Sequence, residues 1–207
     1  MNNCIEQYLY AFSHMRRGET QYGPAPHKLI LLLAVIREIE AGRIIQNQIE
    51  ITDELVQSFM SIWKEYIHTG HIANFALPFF HLQNEGFWQL HAYPHKQTWL
   101  SYQNSVSTLG VLQDAVQYAT LSQDLFELLL DPVTREELTI TLINALQKDG
   151  YVAVPKPCPF CELPAGRRLC CSPPGKDEVF FVFYAFDPKL KGYHQTYIDC
   201  NRIKLVR

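Results

Sequence analysis

Apolar residues recur at helical spacing over the first 150 positions of this chain, and the recurrence then stops. Ile5, Tyr8, Leu9 and Phe12 form one stripe, which predicts an amphipathic helix over 5–15 that ends near Gly18. The following stretch, GETQYGPAPHK, holds two glycines and two prolines and reads as a loop. Pro26 suits the first turn of the next helix, where a missing N–H costs nothing. That helix is predicted over 27–41. Its run LILLLAVI is apolar on nearly every face, as in a central buried helix, and Gly42 supplies a left-handed cap. Thr52 caps a third helix, with Leu55, Phe59, Ile62, Trp63 and Tyr66 on one stripe.

The segment LPFFHLQNEGFWQLHAYP changes the pattern to two short aromatic-rich runs joined by QNEG. It predicts a β-hairpin with Gly86 at positive φ. Residues 98–109 are ambiguous. Further helices are predicted over 109–119, 122–130 and 134–148, the last two parted by Asp131 and Pro132. The expected fold class is mainly α: a helical domain over 1–150 with one β-hairpin.

Past Gly150 the segment GYVAVPKPCPFCELPAGRRLCCSPPGKDE packs six prolines into a short span without helical periodicity. A domain boundary is expected there, followed by a small irregular Cys/Pro-rich segment over 151–207. Within it EVFFVFYAF reads as a strand and TYIDCNRIKLVR as a second candidate.

Composition narrows the class. A hydrophobic fraction of 47% against 19% charged excludes a disordered chain, and the apolar run over 29–36 is too short to span a bilayer. The opening MNNCIEQYLYAF lacks the basic and apolar regions of a secretory signal, so a soluble, cytoplasmic protein is expected. A net charge of −3 does not advertise a nucleic-acid partner. Local charge does more: over 14–28, His14, Arg16, Arg17, His27 and Lys28 stand against the single acid Glu19. His27 and Lys28 open a predicted helix, where side-chain donors, free backbone N–H groups and the positive end of the helix dipole converge, an arrangement suited to an anion. The plain alternative is an ordinary surface residue at a helix start.

Six blocks in order, AFSHMRRG, APHKLILLLAVI, EAGRI, ITDELVQSFMSIW, FALPFFHLQNEGFWQL and YATLSQDLFELLLDPVTREEL, resemble the sulfur-binding domain at the front of HNH-type, phosphorothioate-dependent restriction endonucleases of bacterial defence. The resemblance implies a DNA-binding helical domain over 1–150 whose partner is phosphorothioate-modified duplex DNA. It also implies a small apolar pocket for the backbone sulfur, flanked by basic residues, with no cofactor required for binding. Matching blocks assign His27 and Lys28, an upstream arginine (Arg17 or Arg16), and Leu77, Pro78 and His81 to that pocket. Leu77 stands where the family often has an aromatic residue, and Leu29 where a proline often follows the HK pair. Phe79 and Phe80 are expected in the core, His81 either in the pocket wall or in a structural contact, and Trp63, Trp88 and Trp99 in packing.

Sulfur in place of a nonbridging oxygen keeps the charge but is larger, softer and less hydrated. An apolar wall would cost an ordinary phosphate oxygen a few kcal/mol in lost hydration, and sulfur less. Discrimination is then mainly rejection of the normal linkage.

The cysteines bear on a second chemistry. CPFC opens a C-x-x-C pair, with Cys170 and Cys171 beyond it; Cys158, Cys161 and Cys170 are candidate zinc ligands, against free thiols as the alternative. Downstream of Gly150 the one histidine is His194, with no Asp-His or His-His pair, so no HNH catalytic set is visible. The segment over 151–207 reads as a degenerate or truncated nuclease module, and a separate nuclease or a homodimer is the partner arrangement this suggests. The competing reading is a metal-dependent endonuclease cleaving phosphorothioate DNA; a third is an interaction protein indifferent to DNA.

Overall fold

The computed structural model describes residues 2–153, 180–187 and 192–199. The chain divides into two units, Met1–Tyr151 and Val152–Arg207.

In the first unit, α1 (Asn2–Ser13) leads through the short antiparallel pair β1 (Glu19–Thr20) and β2 (Gly23–Pro24) into α2 (His27–Glu40) and α3 (Asp53–Tyr66). Next come α4 (Ala76–His81), a 3-10 turn (Leu82–Glu85), β3 (Trp88–Ala92), a second 3-10 turn (Pro94–Lys96) and α5 (Gln97–Ser101). The unit closes with α6 (Leu109–Ala115), β4 (Val116–Leu121), α7 (Gln123–Leu130) and α8 (Pro132–Lys148). In the second unit β5 (Phe180–Asp187) pairs antiparallel with β6 (Gly192–Asp199). The expected strand over 196–207 is thus met only in part, because β6 begins earlier and residues beyond 199 lie outside the described ones. Cys158, Cys161 and Cys170 also lie outside them, and with them the zinc expectation.

The mainly helical class holds, and α2 is its axis. Every residue from Leu29 to Ile36 is buried, and α2 packs against α3, α4, α7 and α8, so this run has no face left for solvent. Truncating one of these leucines to alanine would cost about 2 to 5 kcal/mol. The helix begins where the sequence requires: Pro26 is its N-cap and accepts the Ile30 N–H, and Gly42 follows at φ 69°. Thr52 caps α3 by accepting the Leu55 N–H at 3.2 Å, and Asp131 caps α8 by accepting that of Thr134 at 3.2 Å. Among the described residues one polar side chain enters the core. Glu38 on α2 takes two bonds from Arg43 and one from the Ser58 hydroxyl.

The hairpin is elsewhere than predicted. ALPFFH is helical, and β3 pairs with β4, from Trp88↔Leu121 to Ala92↔Val116 with an irregularity after His91. The first aromatic run misled because Phe75, Ala76, Phe79, Phe80 and Leu82 are all buried, so several faces of α4 and its turn are covered and neither period shows. Asn74 accepts the Leu77 N–H, and Pro78 sits in the first turn, where its missing N–H is tolerated. Gly86 has the expected positive φ of 79°, but caps a 3-10 turn. The helix predicted over 109–119 stops at Ala115; the alternating VQYATL is strand, held on its other edge by Ile49 pairing with Ala119. Trp63 and Trp88 are core residues, whereas Trp99 is 38% exposed.

Candidate functional site

Three stretches of chain meet at one open cavity of about 530 Å³. Arg16 and Arg17 come from the loop after α1, His27 and Lys28 from the first turn of α2, and Leu77, Pro78 and His81 from α4, so the seven residues named from the sequence line the same space. Gly18, Thr20, Ala25 and Asn84 complete the lining. The cavity has a basic side and an apolar side: Pro78 is buried, Leu77 half-buried, and the α4 backbone behind them is in the core.

The charges are not free as the sequence suggested. Lys28 Nζ lies 2.5 Å from Glu85 Oε1, with both side chains little exposed, and Arg17 is paired with Asp149 in the same way. Arg16 is exposed and has no ion pair among the described residues. The His27 Nε2–H donates to the Ile72 carbonyl at 2.9 Å, which leaves Nδ1 as an acceptor on the neutral ring. Burial pushes His27 below the ordinary histidine range, with His71 adding to the effect and the Ile72 carbonyl opposing it. Burial also lowers His81, helped by Lys28. Burial thus favours the uncharged form of both rings. The His27 ring is backed by Trp63, 4.6 Å away between centroids. His81 serves two roles, lining the cavity and standing 3.3 Å from the Ser105 hydroxyl.

The loops around the cavity are braced. Thr20 donates its hydroxyl to the Gly23 carbonyl, so His71 Nε2, 2.7 Å away, must be the donor between them; His71 Nδ1 then accepts from Thr69. Gly70 lies so close to Tyr22 that any Cβ there would overlap the ring. Tyr151 donates to the Pro24 carbonyl at 2.7 Å. Sequence reasoning missed Glu85, Asp149, His71 and Tyr151. Their partners are 51 or more positions away, and no local pattern marks such contacts.

Among the described residues, no three His, Cys, Asp or Glu side chains are grouped to hold a metal ion, and no helix is long and apolar enough to cross a membrane.

Fold and site together define a helical module with an open, largely apolar cleft edged by Arg16, Arg17 and Lys28. The chain belongs to the ScoMcrA-like DNA sulfur-binding domain family, whose model matches residues 5–150. Among solved structures, the sulfur binding domain and SRA domain of ScoMcrA complexed with phosphorothioated DNA is similar at 18% identity and a TM-score of 0.49, over 66% of this chain. The chain corresponds to 40% of that protein's length. No curated protein matches it.

Proposed function

We propose that the domain binds double-stranded DNA carrying a phosphorothioate linkage, with the backbone sulfur against Leu77 and Pro78 and the linkage's charge met by Arg16, Arg17 and Lys28. Family membership supports the ligand class. The observation that carries the reading is the meeting, at one cavity, of a basic loop, a helix start and the apolar first turn of α4. The first-turn N–H groups of α2 add the positive end of a helix dipole. A phosphate oxygen at the apolar wall would lose its water without a replacement donor, at a cost of a few kcal/mol, whereas sulfur loses less and gains dispersion contacts. In the free protein burial favours the uncharged form of His27 and His81. Base preference is left to side chains on the surrounding loops that reach a groove.

In this reading the domain is the recognition element of a restriction system, and cutting belongs to a separate nuclease. A band-shift competition tests the binding: unlabelled modified duplex should displace a labelled modified probe, and the unmodified duplex should not. Equal displacement would remove the proposal. Cleavage of modified plasmid by this chain with added Mn²⁺ would move the cutting step into it.

A further inference from the structure

Two of the three cations at the cavity are already matched by a carboxylate, which a site built for maximal grip on DNA would avoid. Lys28 pairs with Glu85 and Arg17 with Asp149, and all four side chains are at most 15% exposed. The three side-chain cations and the two carboxylates sum to a single positive charge. Glu85 is placed by sequence-local geometry: it ends the 3-10 turn that follows α4, and Gly86 at φ 79° turns the chain away behind it.

We infer that Glu85 is a positioning residue that sharpens discrimination against ordinary DNA by occupying the Lys28 ammonium; the inference rests on the phosphorothioate reading above. An ammonium has three donors, and a phosphate oxygen entering the cavity needs one of them to replace lost water. Glu85 holds one donor and fixes the direction of the others. Sulfur, a weak acceptor, has little use for that donor, so the carboxylate penalises oxygen more than sulfur. It also removes most of the long-range pull that would draw any DNA backbone to the site. Asp149 does the same to Arg17 from the end of α8.

The test titrates two duplexes of one sequence, unmodified and with a single Rp sulfur, against the wild type, Glu85→Gln, Lys28→Met and the double variant. Glu85→Gln should tighten binding of the unmodified duplex about tenfold and that of the modified duplex much less, so their ratio narrows. Its salt dependence should steepen by about one counterion. In the Lys28→Met background Glu85→Gln should tighten both duplexes alike, by relieving an unpaired carboxylate, and leave their ratio unchanged. With Lys28 in place, equal tightening of both duplexes, or weaker binding of both, would overturn the inference, since a merely structural carboxylate does not move the ratio. Asp149→Asn, read by the same ratio, covers the case in which Glu85→Gln fails to fold. A wild type that binds both duplexes equally would instead sink the phosphorothioate reading itself.

Discussion

The Tyr151 hydroxyl donates to the Pro24 carbonyl across 127 positions, tying the chain just beyond α8 to the loop that leads into His27. Tyr151 is 2% exposed, and its neighbour Asp149 holds Arg17. The end of the helical unit therefore braces two sides of the cavity. Tyr151→Phe should lower stability by about 1 to 2 kcal/mol by leaving a carbonyl unpaired, and weaken binding of modified DNA through a looser loop. Urea melts and a titration of the same variant check both; unchanged values would show that the bond contributes nothing to either.

Lys28→Ala and Pro78→Gly should fail differently. The first leaves the Glu85 carboxylate unpaired beside an anionic backbone and should weaken binding of every duplex alike. The second strips ring carbons from the apolar wall and should lower the preference for sulfur. A Pro78→Gly protein whose ratio of modified to unmodified affinity equals the wild type's would show that this wall does not read the sulfur.

Binding should take up protons. Burial holds His27 and His81 below the usual 6.5 in the free protein, while an anion in the cavity favours the imidazolium and raises both. Affinity should therefore rise as pH falls from 7.5 to 6, and His27→Asn should flatten the change. The free protein should behave oppositely: its folded state resists protonation, so stability is full above the unfolded value of 6.5 and declines below it. Titrations at the two pH values check the sign, and an affinity that drops on acidification would contradict it.

Far from the cavity, Arg43→Met should destabilise the domain at pH 7, because it takes from the Glu38 carboxylate two of its three hydrogen bonds. Hydrogen bonds from Arg43 hold Glu38 below its usual 4.5, against the opposing effect of burial. That contribution is present above 4.5 and fades as pH falls through the lowered value, so the variant and wild type should converge in acid. Denaturation midpoints at pH 7 and pH 4 measure this.

The fold was legible where one face of an element meets solvent. The α3 stripe and the Thr52 cap could be read directly, and the bounds of α2 followed from Pro26 and Gly42. Legibility failed where burial was many-sided: ALPFFH looked like strand because its apolar residues touch core in several directions. It also failed at β4, whose pairing with β3 across more than twenty residues decides a structure that VQYATL alone leaves open. At the site, charge clustering and the helix start pointed to His27 and Lys28, but Leu77 and Pro78 came only through family resemblance. The carboxylates that temper the cations were invisible, because a glutamate in QNEG and an aspartate before a glycine look like ordinary loop residues.

In the proposed reading, a cavity with one basic and one apolar wall prefers sulfur to oxygen on a DNA backbone. Fluorescence anisotropy at one stated salt concentration, using a duplex with no sulfur, with a single Rp sulfur and with a single Sp sulfur, tests it most directly. The Rp duplex should bind on the order of 100-fold tighter than the unmodified one, a few kcal/mol of discrimination, with the Sp duplex close to the unmodified. Three superimposable curves would contradict it.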